Sequence, residues 1–181
     1  MTPTPLASLH RLVWTALMAS LLAAGAYLHF PLWGVPFSFQ VFFAFLAGLT
    51  LGPVWGSASV SLYILAGLVG LPVFSGGKSG LAVLLGPTGG YLLGFVICAL
   101  IMGLASRSKT AVSWPVGLAW GLVALLVTYT LGVLRLKAVL DIQLNSAVKI
   151  GVAPFVTFDL IKLALAIAAQ RFPSRGRLLP S

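Results

Sequence analysis

Long apolar runs that contain almost no charged residue constrain the fold of this chain more than any other feature. Only 7% of the residues are Asp, Glu, Lys or Arg, whereas soluble domains carry about 25%. A helix needs about 20 apolar residues to cross the hydrocarbon core of a bilayer, so 181 residues allow roughly five to seven crossings. We therefore expect one transmembrane domain that spans residues 1–181.

Six apolar runs are separated by charged residues or by Pro and Gly breaks, and each run is a candidate membrane helix. They cover residues 12–30, 37–51, 54–71, 86–105, 114–134 and 154–169. The second run is short for a full crossing and is bounded by Pro36 and by Gly52-Pro53, which favours tilted or broken geometry. The predicted fold class is all-α, a bundle of six transmembrane helices.

The net charge of +9 comes from eleven Lys and Arg residues set against two acids, Asp141 and Asp159. Such a charge is compatible with a nucleic-acid partner, but positive charge just outside apolar runs also holds loops on the cytoplasmic side of a membrane. Six spans with the N-terminus inside place six basic residues in the cytoplasm: Arg11, Arg107, Lys109, Arg171, Arg175 and Arg177. We therefore expect cytoplasmic termini and no nucleic-acid partner.

Motifs for catalysis and for metal binding are missing from the sequence. Cys98 is the only cysteine and lies within an apolar run, which excludes a disulfide framework or a cysteine metal cluster. The chain has no glutamate, no His-Glu-x-x-His, no Gly-x-Ser-x-Gly and no Walker phosphate loop. We expect no enzyme activity, no metal and no cofactor, and a transporter that uses ATP would need a partner subunit.

Asp159 and Lys162 are the only charged residues within a predicted span, and their spacing of three places them on one helix face. At about 1.5 Å per residue from Pro154, they lie roughly 8 Å and roughly 12 Å below the outer end. Ionisable groups at this depth usually face a protein interior or a watery cavity. The pair is either a salt bridge that locks helices or a site for a compact solute that is partly polar and partly apolar.

Two outer connections are long, over residues 72–91 and 135–149. The first is rich in glycine and apolar residues, with Lys78 as its one cation, and is either a lid over a cavity or a flexible loop. Its last part, Gly86-Pro-Thr-Gly-Gly-Tyr91, opens the fourth span, where unpaired amides and a tyrosine ring suit a ligand. The second connection is polar enough for a short interfacial helix or loop.

Small residues lie four apart in the first span, where Ala19 and Ala23 have Ala16, Ala24 and Gly25 nearby. Such a face lets two helices approach closely. Packing within the protein is the more frequent use of this pattern, and the spacing alone does not exclude a partner subunit.

Several segments of the sequence have a distinctive residue order. They are Val35-Pro-Phe-Ser-Phe-Gln40, Leu46-Ala-Gly-Leu-Thr-Leu-Gly-Pro53, residues 63–70, Leu71-Pro-Val-Phe-Ser-Gly-Gly77, Gly80-Leu-Ala-Val-Leu-Leu-Gly-Pro-Thr-Gly-Gly-Tyr-Leu-Leu-Gly-Phe95 and Pro154-Phe-Val-Thr-Phe-Asp-Leu-Ile-Lys162. Together they closely resemble the BioY family of biotin transporters. Two departures stand out. Phe158 replaces the glycine that usually precedes the final-helix Asp, which would narrow the space beside the carboxylate, and residues 131–149 are more charged than the family pattern.

The resemblance implies the substrate-capturing S component of an energy-coupling-factor (ECF) transporter, with an outward-opening ligand cavity in its six-helix bundle. In that family the Asp and Lys of the last helix bind biotin, which assigns Asp159 and Lys162. The capping loop and the start of the fourth span complete the expected biotin site with Gly77, Lys78, Ser79, Thr88, Gly89, Gly90 and Tyr91. Ala19 and Ala23 match the small residues that contact the transmembrane coupling (T) subunit in related S components.

The same resemblance implies two cytoplasmic ATPases as energy source, although some family members are thought to act without them, and a place in the bacterial plasma membrane. Two alternatives stay open at this point. One is an S component for another small vitamin. The other is a ligand-free membrane scaffold in which Asp159 and Lys162 only lock helices.

Overall fold

The computed structural model describes residues 5–32, 35–106 and 112–171, and it is mostly helical, as predicted. The described residues form seven helices and one two-stranded sheet. In chain order these are α1 (Pro5–Tyr27), β1 (His29–Leu32), β2 (Val35–Ser38), α2 (Gln40–Leu68), α3 (Leu81–Leu85), α4 (Gly89–Ala105), α5 (Trp114–Leu140), α6 (Leu144–Gly151) and α7 (Val156–Ala169).

Among the described residues, three helical segments are by length and composition alone sufficient to cross a membrane, namely Ser8–Tyr27, Gln40–Leu68 and Trp114–Leu140. Helices α6 and α7 meet these criteria only when taken together, and they are bent by 48° at the break between them. Helix α4 is apolar but shorter, with 17 residues. Large apolar side chains such as Val54 and Leu126 are exposed on the outside of the bundle, where a lipid environment would cover them.

Helix α2 folds back on itself at Gly52 to form a helical hairpin. Gly52 has φ 77° and ψ −177°, a conformation that favours glycine, and Pro53 follows it. The Gln40 Nε2 atom donates to the hydroxyl of Tyr63 at 2.7 Å, although a straight helix would separate these residues by roughly 35 Å. The break predicted at Gly52-Pro53 is therefore confirmed, and two arms, residues 40–51 and 53–68, are compatible with the predicted six spans.

Close contact between the two arms depends on glycine. A Cβ atom on Gly56 would lie 2.7 Å from the carbonyl oxygen of Ala47 and 2.8 Å from the Cα atom of Gly48. Helix α4 packs against the hairpin in a similar way, because a Cβ atom on Gly48 would overlap the carbonyl oxygen of Ala99. Small residues therefore allow α4 to lie between the α2 hairpin on one side and α5 on the other.

A short β-hairpin joins the first two membrane helices, which the sequence did not predict. Strands β1 and β2 are antiparallel, with His29 opposite Ser38 and Leu32 opposite Val35. The expected helical runs 12–30 and 37–51 were therefore too long at these two ends. Hydrophobicity alone does not distinguish a short apolar strand from the end of a helix, and Pro31 and Pro36 lack the backbone N–H that a helix interior requires.

The fifth helix is also longer than predicted. Helix α5 continues past residue 134 to Leu140, and Asp141 ends it in the left-handed conformation with φ 51°. The polar connection then contains α6, in agreement with the expected short helix or loop. The error arose because Arg135 and Lys137 were taken as the end of the apolar run, whereas long basic side chains are well accommodated at the end of a membrane helix.

Both ends of the bundle carry basic residues. We define the cavity end as the end that contains the β-hairpin, residues 69–88 and α6. Lys78, Arg135, Lys137 and Lys149 lie there. Arg11 lies near the start of α1 and Arg171 near the end of α7, at the opposite end. The other four predicted cytoplasmic residues lie outside the described residues: Arg107, Lys109, Arg175 and Arg177.

The close approach of α4 and the α2 hairpin can be tested with Gly48→Val. The new side chain would overlap the Ala99 carbonyl and crowd Met102, whose Cβ atom would lie 2.8 Å from the new Cβ. Overpacking of this kind lowers the free energy of unfolding by about 1–3 kcal/mol. Thermal unfolding in detergent measures the change. Ala24→Val, at an exposed position of α1, is the control, and equal losses in both variants would contradict the proposed packing.

Candidate functional site

A cavity of about 400 Å³ lies at the end of the bundle that contains the β-hairpin and α6, which is why we call it the cavity end. It lies between β2, the start of α2, residues 74–88, α4, α5 and the start of α7. Its walls are largely apolar and include Val35, Val41, Phe74, Leu92, Phe95 and Phe155. A small set of polar side chains also lines it, among them Gln40, Lys78, Thr88, Tyr129, Asp159 and Lys162. This combination of apolar walls with few polar groups is typical of small-molecule sites.

Asp159 and Lys162 form an ion pair in the wall of this cavity. The Lys162 ammonium donates to Oδ1 of Asp159 at 2.8 Å. The two residues are only 6% and 4% exposed. Asp159 lies in the first turn of α7, where the partial positive charge of a helix N-terminus favours a carboxylate. The predicted pairing on one helix face is therefore present in the structure, and it adjoins a cavity.

Three residues from two other parts of the chain hold the pair in place. Tyr129 on α5 donates to Oδ2 of Asp159 at 2.7 Å. Lys162 also donates to the backbone carbonyl of Ser38 at the end of β2, at 2.7 Å. Its ammonium lies 3.9 Å from the ring centroid of Phe37, which is within the range of a cation–π interaction. The pair thus links α7 to α5 and to the β-hairpin while it faces the cavity.

Hydrogen-bonding capacity remains on both charged groups. Lys162 donates two of its three N–H groups in the hydrogen bonds described, and each carboxylate oxygen of Asp159 accepts one hydrogen bond. A carboxylate oxygen has two lone pairs. The site can therefore accept N–H donors from a solute and donate to a carbonyl without breaking the bonds that position the pair.

Phe158 does not narrow the cavity as the sequence suggested. It lies outside the described lining, is 51% exposed, and packs edge-on against Phe37 with 5.0 Å between the ring centroids. The side chains of neighbouring helix positions point in different directions, so a residue next to Asp159 in sequence need not face the same cavity.

The other predicted site residues fall into two groups. Lys78, Thr88 and Tyr91 line the cavity together with Asp159 and Lys162. Gly77, Ser79, Gly89 and Gly90 lie outside the lining of this cavity. Gly77 has φ 68° in a tight turn, and a Cβ atom on Gly90 would lie 2.7 Å from the Cβ of Arg135. In the structure these two glycines shape the backbone and its packing.

Residues 72–88, here called the capping segment, form one wall of the cavity. Phe74 and Lys78 pair across a tight turn, in which the Phe74 amide donates to the Lys78 carbonyl at 3.0 Å. The Phe74 side chain is 1% exposed and packs edge-on against Tyr63, with 5.6 Å between the ring centroids. At its other end, the Arg135 guanidinium donates to the carbonyl of Leu85. These contacts hold the segment against the bundle.

Gln40 is a buried polar residue to which the sequence reasoning assigned no role. It is 5% exposed at the start of α2, lines the cavity, and hydrogen-bonds to Ser38, Tyr63 and Ser75. A search for charged residues within apolar runs passes over an uncharged amide. The one feature of the sequence that could have identified Gln40 is its position, because it is a polar residue at the start of an otherwise apolar helix.

Ala19 and Ala23 lie on the side of α1 that faces the rest of the chain. Ala19 is part of the buried core, and Ala23 packs against it. The structure therefore shows the internal packing that the small-residue spacing allowed, and contact of these residues with a partner subunit stays a prediction.

Removal of one charge from the buried pair should destabilise the protein. Lys162→Met leaves the Asp159 carboxylate buried with no cationic partner, and Asp159→Asn leaves the ammonium without its carboxylate. Breaking a buried pair in this way lowers the free energy of unfolding by about 3–5 kcal/mol. Thermal unfolding without any ligand is the measurement. The double variant should regain much of the loss, and single variants as stable as the parent would contradict a stabilising pair.

Comparison with known proteins places this geometry in a family. The model of the BioY family matches residues 1–176. The biotin transporter BioY of Thermotoga maritima is 42% identical over 158 residues, which cover 87% of this chain and 92% of that protein. The biotin transporter BioY of Rhizobium etli is 32% identical over 181 residues, with 94% and 96% of the two chains covered.

A solved structure has the same fold. It is the crystal structure of the S-component for biotin from an ECF-type ABC transporter, and it is 25% identical in sequence. The two structures match with a TM-score of 0.83, and the match covers 94% of this chain and 93% of the other. The family match over nearly the whole sequence and this shared fold lead to one conclusion: the chain belongs to the BioY family.

Proposed function

We propose that this chain is the membrane-embedded S component for biotin, and that it captures biotin for uptake into the cell. The observation that supports this most directly is the cavity in a BioY-family fold that combines apolar walls with a buried Asp159–Lys162 pair. A cavity of about 400 Å³ lies within the range of about 300–1,000 Å³ that is usual for small ligands. The chain is a multi-pass membrane protein and not an enzyme.

The chemistry of biotin matches the polar groups of the cavity. The ureido ring of biotin offers two N–H donors and one carbonyl acceptor, and its sulfur ring and pentanoate chain are apolar. Asp159 accepts N–H donors and Lys162 donates to a carbonyl. The other acid of the chain, Asp141, lies outside the cavity lining. Asp159 is therefore the carboxylate available to bind the ureido N–H groups.

The pentanoate carboxylate of biotin needs a different position in the cavity. It would be repelled by the carboxylate of Asp159, so it belongs away from α7. Lys78 on the capping segment is exposed to solvent and also lines the cavity. Thr88 lines the cavity at the start of α4, where helix amides favour an anion. Lys78 and Thr88 are the groups that we assign to the carboxylate.

The proposed orientation places the cavity end outside the cell and both termini in the cytoplasm of a bacterium, with the whole chain forming one substrate-binding domain. The sequence predicts six basic residues at the cytoplasmic end, Arg11 and Arg171 among them, against four at the cavity end: Lys78, Arg135, Lys137 and Lys149. The positive-inside rule favours the end with more basic residues as the cytoplasmic end. The sequence has no nucleotide-binding motif of its own. We propose that a transmembrane T subunit and two cytoplasmic ATPases supply the energy for uptake, as expected of an S component, and transport by this chain alone is the alternative.

Biotin should stabilise the purified protein, because a ligand that binds only the folded form raises its free energy of unfolding. At a biotin concentration of 100 times Kd the increase is about 2.7 kcal/mol. Thermal unfolding with and without biotin measures this. A shift with a different vitamin but none with biotin would assign another substrate. No shift with any vitamin would instead favour a scaffold in which Asp159 and Lys162 only lock helices.

Equilibrium binding of labelled biotin to charge variants tests the site. Asp159→Asn and Lys162→Met each remove a charge-assisted hydrogen bond, so each should weaken binding by roughly 10- to 150-fold. Lys149→Met is the control because Lys149 is exposed on α6 and lies outside the cavity lining. Unfolding curves check that each variant is folded. Unchanged affinity in both cavity variants would refute the assigned site.

Uptake of labelled biotin by cells tests the proposed partners. Cells that lack their own biotin transporter are compared when they express this chain alone and when they express it with a T subunit and two ATPases. We expect the coupling subunits to raise the uptake rate, and an ATPase with an inactivated nucleotide site to abolish that increase. Equal uptake in all three strains would show that the chain transports biotin without these partners.

A further inference from the structure

The side chain of Gln40 lies where the capping segment, the β-hairpin and the α2 hairpin meet. Its Oε1 atom accepts from the Ser75 hydroxyl at 3.0 Å and from the Ser38 hydroxyl at 2.8 Å. Its Nε2 atom donates to the Tyr63 hydroxyl at 2.7 Å. The described bonds therefore use both ends of a buried amide to join segments that are far apart in the sequence.

Two of these bonds lead to the capping segment. Ser75 belongs to that segment directly, and Tyr63 donates in turn to the backbone carbonyl of Val73 at 3.2 Å. The donor directions are consistent, since Tyr63 accepts from Gln40 and uses its own proton for Val73. Gln40 therefore holds the start of the capping segment at two points, on either side of the buried Phe74.

The third bond leads to the charged pair. Gln40 accepts from the hydroxyl of Ser38, and the backbone carbonyl of the same residue accepts from the Lys162 ammonium at 2.7 Å. The position of Ser38 thus depends on Gln40 at one end and on Lys162 at the other. A continuous path of hydrogen bonds runs from Ser75 through Gln40 and Ser38 to Lys162.

We infer that Gln40 is a positioning residue that couples closure of the capping segment to occupation of the Asp159–Lys162 site. A ligand that binds Lys162 stabilises the hydrogen bond from Lys162 to the Ser38 carbonyl, and so fixes the position of Ser38. The Ser38 hydroxyl then keeps the Gln40 amide oriented. In this orientation Gln40 binds Ser75 of the capping segment directly and holds its Val73 through Tyr63. The consequence is slow release of the ligand, because the cap leaves only when these bonds break. This inference rests on the proposed function, and it assigns a kinetic role that binding by the charged pair alone does not require.

The test measures the dissociation rate of labelled biotin from the purified full-length protein. Ser75→Ala removes one bond between Gln40 and the cap, so it should raise the dissociation rate by roughly three- to tenfold. The association rate should change little, since the charged pair is untouched. Ser75→Thr keeps the hydroxyl and should restore slow release. Ser57→Ala is the control, because Ser57 bonds to the Pro53 carbonyl of its own helix beside the α2 reversal.

If the coupling passes through Gln40, substitutions at Gln40 and Ser75 should not have independent effects on the dissociation rate. Gln40→Leu should accelerate release at least as much as Ser75→Ala, and the double variant should release biotin no faster than Gln40→Leu alone. Additive effects of the two substitutions would overturn the path through Gln40. A merely structural role would instead lower thermal stability without biotin and leave the dissociation rate unchanged.

Backbone hydrogen exchange over residues 72–80 reports local opening of the capping segment, residue by residue, separately from global unfolding. In the parent protein, biotin should slow exchange in this segment, and in Gln40→Leu the protection should be lost at saturating biotin. Equal protection in both proteins would overturn the inference while leaving the proposed function intact. Failure of the parent protein to bind biotin would refute the proposed function instead, so the two failures are distinguishable.

Discussion

The buried ion pair between Asp159 and Lys162 is the interaction on which the organisation of the site depends. Two charges at this depth are stable only if they pair and if their remaining hydrogen-bonding groups find partners. Tyr129 and the carbonyl of Ser38 supply those partners, and this requirement draws α5 and the β-hairpin towards α7. The same pair can lock helices and bind a solute, because a cavity adjoins it and both groups retain capacity for further bonds.

Close helix packing surrounds the cavity beside this pair. Glycine at positions 48 and 56 lets the arms of α2 and helix α4 approach closely. At the cavity end the helices are followed by a β-hairpin and by the capping segment. Phe74, fixed against Tyr63, holds this segment over the cavity. A rigid bundle with a separately attached cap suits a protein that must retain a small ligand and later release it.

Much of this arrangement was predictable, and the errors have physical causes. The apolar runs and the Asp159–Lys162 pair were found because charged residues are rare in membrane helices and conspicuous when present. The break at Gly52-Pro53 was found because glycine tolerates non-helical backbone angles and proline lacks the N–H that a helix interior requires. The β-hairpin was missed since hydrophobicity does not separate a short apolar strand from a helix end. Gln40 was missed because an uncharged amide gives no signal in a search for charges, although burial makes its hydrogen bonds essential.

The sequence by itself determined that this chain folds in a membrane, that its apolar runs are mostly helical, and which two charged residues share one helix face. These properties follow from local composition and helical periodicity, which act over a few residues. Only the tertiary structure decided that Thr88 and Tyr91 join the pair around a cavity while Gly89 and Gly90 serve packing. It also decided that Gln40 connects the cap to Ser38. Such contacts join residues far apart in the chain, so no local pattern can encode them.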